Sequence, residues 1–305
     1  MIGKVMTNSD YRKSEGVSSS ELKQMVKSPA HYRYWKDNPD DIDTPALLFG
    51  RACHKYVLET YDFYKEFEVA KDFKYGTKAD KEETQKFICQ KAIELGRGDE
   101  WDSFITTNPK KEDVVAFYRS LVADKDIITE EQFEVIDAMR NAMLATPFVS
   151  KLINGEHEVS LFWTDEDTGI KCKCRPDSLN DKLKIVVDYK TCDNAETQHF
   201  MRKAIDLGYD LQASYYLDGV KATTGLDCIF VFIAQEKKPP YAVNILQADD
   251  VFIRSGRQLY KDMLATYKEC TETGNWWGYL GAENQINSLG VPKWLENMLG
   301  AESEE

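Results

Sequence analysis

Residues 170–191 read IKCKCRPDSLNDKLKIVVDYKT, and this stretch decides the fold. It holds two runs with the composition and alternation of β-strands, residues 170–179 and 184–191, separated by a short polar turn sequence. A third run, HEVSLFWT at residues 157–164, precedes them across the turn sequence DEDTG. Because short turns join antiparallel strands, the three runs predict an antiparallel meander.

Alternation also predicts which side chains share a face of each strand. The first strand of the stretch has an apolar face made of Ile170, Cys172 and Cys174. Its other face carries charged residues: Lys171, Lys173, Arg175 and Asp177. In the next strand, Asp188 and Lys190 share a face opposite Val187 and Tyr189. Since a short turn joins the two strands, Asp177 and Asp188 are expected to approach each other.

The segments before the meander look helical. A capping box from Ser18 to Glu21 starts one helix, which ends before Pro29. Thr44 and Pro45 start a second helix, which we expect to continue through ALLFGRACHKYVLETYDFY at residues 46–64. Residues 78–146 also look helical, with a capping box from Thr129 to Gln132.

After the meander come two helical stretches, residues 195–208 and 211–223, and two strands, residues 227–235 and 241–247. A last long helix is expected from Asp249 to Thr273. The pattern predicts an α/β fold with a mixed central β-sheet flanked by helices, and a helical N-terminal part. We expect a single domain over residues 1–305: a mainly helical part at 1–150, a core at 151–275 and a tail at 276–305.

Composition narrows the class of protein. The 305 residues are 42% hydrophobic, which is enough for a substantial core, and no apolar run approaches the roughly 18 residues of a membrane span. The first residues lack the apolar segment of a signal peptide, so we expect a cytoplasmic protein without membrane contact. A net charge of −13 argues against nucleic acid coating the whole surface, but it permits a local basic groove. Seven cysteines without a CxxC pair predict no disulfide framework, and Cys172 and Cys174 are expected in the core.

The acidic residues of the meander suggest a metal site. Two carboxylates beside a lysine are costly unless a cation organises them, because like charges repel and each loses hydration. Mg²⁺ prefers oxygen ligands and leaves positions for water and phosphate oxygens, which suits phosphodiester hydrolysis. The acid-x-Lys tripeptide alone is weak support. It also occurs at Glu21 and Lys23, where surface charge on a helix is the better interpretation.

Five separated motifs carry a resemblance to a known family. They are SSSELKQMVKSPAHYRYW (18–35), GRACH (50–54), EVSLFWTDEDTGIKCKCRPDSL (158–179), VVDYKT (186–191) and QASYY (212–216). In this order they resemble the RecB-like branch of the PD-(D/E)xK nucleases, which have a restriction-endonuclease-like core. Within that branch they resemble the exodeoxyribonuclease VIII (RecE-type) family of phages and prophages.

The resemblance implies roles for particular positions. It makes His54 a metal ligand, with Gly50 one turn earlier leaving room for substrate. It makes Asp177 and Asp188 metal-binding carboxylates, Lys190 the catalytic lysine and the Tyr189 backbone carbonyl a further ligand. It makes Gln212 and Tyr216, four residues apart on one helix face, supports of the lysine that contact DNA. The alternative for His54, Gln212 and Tyr216 is an ordinary place in a helical core.

Some candidates remain open between two interpretations. Glu158 is a candidate additional acid near the site or a solvated residue at the start of a strand. Lys171, Lys173 and Arg175 are candidate phosphate contacts or ordinary exposed strand charges.

The expected function is therefore that of a Mg²⁺-dependent exodeoxyribonuclease, with Mn²⁺ as substitute. The resemblance implies resection of double-stranded DNA ends from 5′ to 3′, a single-strand annealing protein as partner and a ring-shaped homo-oligomer. No iron–sulphur cluster is expected, because the clustered C-terminal cysteines of the cluster-bearing branch are missing. The alternatives are a structure-specific or single-strand DNA nuclease on the same fold, and a catalytically silent DNA-binding or assembly module.

Overall fold

The computed structural model describes residues 3, 6–38, 44–70, 73–283, 285–293 and 295–296. The expected tail at 276–305 thus lies partly outside the described residues.

The helices are α1 (Asn8–Lys13), α2 (Ser19–Lys27), α3 (Pro29–Asp37), α4 (Pro45–Leu58), α5 (Thr60–Glu66), α6 (Lys78–Glu94), α7 (Gly98–Ile105), α8 (Lys111–Leu121), α9 (Glu130–Ala145), α10 (Val149–Leu152), α11 (Thr197–Asp206), α12 (Tyr209–Thr224) and α13 (Asp250–Thr273). The strands are β1 (Phe67–Ala70), β2 (Asp126–Thr129), β3 (Glu156–His157), β4 (Leu161–Thr164), β5 (Lys171–Cys174), β6 (Ser178–Asn180), β7 (Ile185–Cys192), β8 (Ile229–Glu236) and β9 (Val243–Gln247).

A five-stranded sheet with the order β3-β6-β7-β8-β9 forms the centre of the molecule. β7 and β8 pair in parallel, whereas the other neighbours are antiparallel, so the sheet is mixed. Helices pack on both of its faces. The predicted α/β architecture, a mixed central sheet flanked by helices, is confirmed. None of the helices in the described ranges combines the length and apolar character that crossing a membrane requires.

The alternation in β7 divides the core in two. Val186 faces a cluster that includes Phe200 of α11, Leu211 of α12 and Leu264 of α13. Val187 and Tyr189 face the other cluster, with Cys53 of α4 and Met139 of α9. Both faces of β7 are therefore covered, and the polar residues Asp188 and Lys190 lie on the face that also carries Val186. The predicted assignment of these faces is confirmed.

The expected single strand over residues 170–179 is wrong. β5 ends at Cys174 and pairs only with β4, in a separate two-stranded sheet, whereas β6 begins at Ser178 in the central sheet. Pro176 lies between them and has no N–H to donate to a strand ladder. Asp177 therefore does not share a strand face with Lys171 and Lys173. The predicted burial of the cysteine pair in β5 is confirmed, since both thiols lie in the core.

Two further features of the N-terminal part differ from expectation. The helix expected over residues 46–64 is two helices, because Glu59 leaves the helical conformation (φ −134°, ψ 53°) and α5 starts at Thr60. β1 and β2 were not predicted, and they pair in parallel with each other. Each strand has only four residues, which is too short for alternation to be recognised.

The predicted helix starts are confirmed. Ser18 and Thr129 form capping boxes with Glu21 and Gln132, and the Thr44 side chain accepts a hydrogen bond from Leu47 N. The cap at Thr44 starts α4, which carries His54 against the central sheet.

Candidate active site

His54 reaches the sheet because α4 buries its neighbours there. Ala52 and Cys53 are fully buried in the cluster that covers Tyr189. The His54 ring lies over the Tyr189 ring, with 5.1 Å between ring centroids. The imidazole Nδ1 is 3.2 Å from Asp177 Oδ2. The histidine therefore lies at the inner end of a pocket rather than on a free helix surface.

Asp177 lies directly before β6, where the backbone of β7 holds its carboxylate. Asp177 Oδ2 accepts a hydrogen bond of 2.7 Å from Tyr189 N. Burial acts to raise the pKa of Asp177, but the charge of His54, its hydrogen bond and the charge of Lys190 outweigh burial, so this pKa is lowered. Burial likewise acts to lower the pKa of His54, and the Asp177 carboxylate outweighs it, so the pKa of His54 is raised. The pair favours an ionised carboxylate.

Glu158 joins this pair from the segment that follows β3. Its N–H donates to Asp177 O (3.3 Å), and its backbone has φ +50°, which is uncommon for a residue with a side chain. Arg175 Nε lies 2.8 Å from Glu158 Oε2 and donates to Glu158 O at 3.1 Å. Burial, with the charge of Asp177, raises the pKa of Glu158 to about 7. Glu158, whose role the sequence left open, is thus part of the cluster.

Asp188 and Lys190 form the adjoining half of the site. Lys190 Nζ lies 2.5 Å from Asp188 Oδ2, and Asp188 Oδ1 accepts a hydrogen bond of 2.6 Å from Gln212 Nε2. Burial, opposed by Lys190 and reinforced by Asp177, raises the pKa of Asp188. Burial acts to lower the pKa of Lys190, but Asp188 outweighs it, so that pKa is raised. Lys190 therefore stays charged.

The donor set fits a divalent cation. His54, Glu158 and Asp177 each offer one ligand atom, and these atoms all lie within 4.8 Å of one another. One imidazole with carboxylate oxygens suits a divalent cation, which would offset the repulsion between the two partly buried acids. Asp188 Oδ2 is buried and receives no well-directed hydrogen bond, despite its contact with the lysine. Asp188, which the sequence also suggested as a metal ligand, is not one of these three residues and is instead held by Lys190 and Gln212.

An open pocket of about 470 Å³ leads to the cluster. Its lining includes Gly50 and His54 of α4, together with Lys190, Tyr209 and Lys237. A Cβ added at Gly50 would meet nothing within 4 Å, so this side of the pocket is wide. The sequence interpretation missed Tyr209 and Lys237. The signal for Tyr209 was its position three residues before Gln212.

The three basic residues expected to contact phosphate have different places. Lys171 lies outside the pocket and pairs with Glu15 at 2.8 Å. Lys173 is 4% exposed, and its Nζ is 2.6 Å from Ser14 O and 3.1 Å from Tyr11 O. The proposed phosphate contact by Lys173 is therefore wrong, because its ammonium group is buried against backbone carbonyls. Arg175 does line the pocket.

The two members of the QxxxY element also differ. Gln212 is buried and reaches Asp188 directly. Tyr216 lies one turn further along α12, where its ring packs beside Phe230 with 6.4 Å between centroids. Burial raises the pKa of Tyr216 well above its usual value, and the nearby charge of Asp188 contributes. Gln212 thus contacts Asp188, whereas the Tyr216 ring packs beside Phe230.

The mixed sheet, with Asp177 before β6, Asp188-Tyr189-Lys190 in β7 and His54 on a covering helix, defines a PD-(D/E)xK-type core. Residues 18–287 match the family described as PDDEXK-like domain of unknown function (DUF3799), and the chain belongs to this family.

Several solved structures resemble the chain, among them the following two. One is described as "Putative exonuclease" from Eubacterium rectale; it shares 14% identity, and the match covers 98% of this chain and 100% of that one with a TM-score of 0.49. The other, SSO0001, shares 13% identity over 63% of this chain and 87% of its own, with a TM-score of 0.28. Neither likeness is close enough to inform function. No curated protein matches the chain.

Proposed function

We propose that the protein is a metal-dependent DNA nuclease. The observation that carries this proposal is the cluster of His54, Glu158 and Asp177 at the inner end of an open pocket, beside the ion pair of Asp188 and Lys190. A metal-binding set next to a charged lysine is the combination that phosphodiester hydrolysis uses. A protein that only binds DNA has no need for it.

The proposed roles of the site residues are of two kinds, metal binding and activation of the attacking water. His54, Glu158 and Asp177 would hold the cation, which would polarise a phosphate oxygen and promote ionisation of water. The Tyr189 N–H points to Asp177, and since the N–H and C=O of one strand residue face the same neighbour, its carbonyl faces that side too. This supports the Tyr189 carbonyl as a further ligand. Lys190 orients the attacking water and offsets the negative charge that develops on the phosphate.

DNA would enter through the pocket mouth. Arg175 lines the pocket beside Glu158, so the charge of its guanidinium group lies near the path of an entering phosphate. Lys237 also lines the pocket, with its side chain partly exposed and paired with Asp193 at 2.9 Å. Phosphate contacts from such groups position a strand without reading its sequence.

The family resemblance supports finer proposals. They are resection of duplex ends from 5′ to 3′ in phage-type recombination, with Mg²⁺ as the metal, a single-strand annealing protein as partner and a ring of identical subunits. In such a ring, an acidic exterior with a basic lumen would reconcile the net charge of −13 with DNA binding.

The deciding experiment compares linear and circular duplexes, each with Mg²⁺, Mn²⁺, Ca²⁺ or a chelator. We expect loss of only the linear duplex, with Mg²⁺ or Mn²⁺. Ca²⁺ is larger and tolerates irregular coordination, so it should support binding without turnover. Cleavage of the circle or of single strands alone would favour a structure-specific nuclease. Binding without cleavage under every metal would favour the silent module.

A further inference from the structure

Lys23 of α2 does not lie on a free helix surface, contrary to the interpretation of its acid-x-Lys sequence. Its Nζ donates a hydrogen bond of 2.9 Å to Gln212 Oε1. The stem of the side chain passes over Gly208, where an added Cβ would lie 3.3 Å from Lys23 Cγ. The ammonium group lies 5.0 Å from the centroid of the Tyr209 ring. The Lys23 ammonium group therefore approaches the active site through Gln212 and Tyr209 rather than through the pocket.

The contact continues into the cluster. Gln212 Nε2 donates to Asp188 Oδ1 at 2.6 Å, and Asp188 Oδ2 contacts Lys190. Lys190 Nζ lies 4.8 Å from the centroid of the Tyr209 ring, so two lysines contact one aromatic ring. A single chain of contacts thus runs from Lys23 through Gln212 and Asp188 to Lys190.

The chain has only one consistent direction. A lysine side chain in its ammonium form can only donate, and an ionised carboxylate can only accept. The Gln212 amide must therefore turn its oxygen to Lys23 and its NH₂ group to Asp188. Asp188 alone would still require the NH₂ group, but without Lys23 the amide oxygen would lose its donor and the amide would be held at one end only. This single direction applies to the ammonium form of Lys23: burial and the charge of Lys190 lower its pKa to about 7, and the neutral amine can donate or accept.

We propose that Lys23 is a positioning residue of the active site, which fixes the Gln212 amide so that Asp188 holds Lys190 in place. This inference rests on the proposed nuclease function for its kinetic readout. Lys23 does not line the pocket, so its effect acts through Gln212 rather than through contact with DNA. Partners that orient the groups around a metal site typically contribute 10-fold to 100-fold to activity.

The test uses Lys23→Met, Gln212→Leu, their double variant, Lys23→Arg and the control Lys27→Met, which changes an exposed lysine of the same helix. We expect Lys23→Met to lower kcat roughly ten-fold, with the KM for linear duplex and the melting temperature unchanged. The double variant should be no slower than Gln212→Leu, because residues in one chain of contacts are not additive. Lys23→Arg should recover part of the loss, and Lys27→Met should behave as the unaltered protein. Additive losses, a change confined to KM, or full activity of Lys23→Met would overturn the proposal.

A second readout does not depend on cleavage. In a crystal structure of Lys23→Met, we expect the Gln212 amide to have shifted, so that its contact with Asp188 Oδ1 is longer than 2.6 Å. Retention of the 2.6 Å contact would overturn the positioning role even if the protein cleaved no DNA at all. Failure of the nuclease proposal and failure of this inference are thereby distinguished.

Discussion

Lys190 Nζ and Asp188 Oδ2 are 2.5 Å apart on the same face of β7, one strand alternation from each other. Asp188 is fully buried, whereas the Lys190 side chain is 17% exposed and borders the pocket. The acid therefore anchors the pair and the lysine presents its charge to the substrate side. This division gives the two residues different expected effects when each is removed.

Lys190→Ala should separate cleavage from metal binding. It removes a positive charge that competes with the cation, so Mn²⁺ binding should survive or strengthen. Cleavage should fall by roughly two orders of magnitude or more, as for other groups that stabilise the transition state. Calorimetric Mn²⁺ titration beside an exonuclease assay measures both quantities. For Asp188→Ala, both should fall, because a carboxylate beside the metal site is lost.

The control for this pair is Lys182→Ala, which changes an exposed lysine in the turn before β7. It should affect neither quantity. Near-normal cleavage by Lys190→Ala would refute the role of the lysine and leave an ordinary ion pair between strand residues, which contributes little.

Glu158→Gln tests the acid that the sequence left open. The change keeps the shape of the side chain but removes a charged oxygen from the cluster with His54 and Asp177. We expect weaker Mn²⁺ binding by about ten-fold and a matching loss of cleavage at low metal, as the loss of a group that holds the metal implies. His54→Ala should act in the same direction.

Glu166→Gln is the matched control, because Glu166 is exposed in the turn between β4 and β5. If Glu158→Gln bound Mn²⁺ as tightly as the unaltered protein, the carboxylate would serve only its ion pair with Arg175.

Local patterns in the sequence were sufficient to predict β7 and the residues on each of its faces, because alternation alone decides which residues share a face with Val186. They also identified the helix starts, since capping boxes involve residues only three positions apart. The position of Lys173 could not be predicted in this way. Its ammonium group is bound by carbonyls of the α1 region, and only the folded chain brings that region to β5.

The same limit applies inside the site. The sequence predicted that Asp177 would lie near Asp188, because a short turn joins their strands. The sequence could not decide whether Glu158 faced solvent. The position of Glu158 depends on its ion pair with Arg175 and on a positive φ, which residues with a side chain rarely adopt. Lys23 was misinterpreted because its partner, Gln212, is on a distant helix.

DNA affinity should fall steeply with salt despite the net charge of −13. Lys237→Ala should lower the magnitude of the log–log salt slope by about one, because it removes one proposed phosphate contact from the pocket lining. Lys171→Ala is the matched control and should leave the slope unchanged, since Lys171 pairs with Glu15 outside the pocket. Filter binding of a linear duplex in chelator measures both variants. An affinity that does not depend on salt would contradict the proposed interface.

Gly256→Ala tests the packing that positions Gln212. Gly256 lies on α13, and a Cβ there would come within 2.0 Å of Asp210 O on α12. Neither backbone can yield without moving a helix, so we expect destabilisation of about 3 kcal/mol, the upper part of the usual range for overpacking. Urea unfolding measures the loss. Since Gln212 is two residues from Asp210, cleavage by the folded fraction should fall as well.

Gly50→Ala separates this steric effect from the general effect of replacing a helical glycine. A Cβ at Gly50 meets nothing within 4 Å, and alanine favours a helix over glycine by about 1 kcal/mol, so the free energy of unfolding should stay the same or rise. The two variants make the same chemical change in helices α4 and α13, and only one places an atom against a neighbouring backbone. Equal stability of Gly256→Ala and Gly50→Ala would mean that α12 and α13 are not in the close contact described, and that the position of Gln212 does not depend on it.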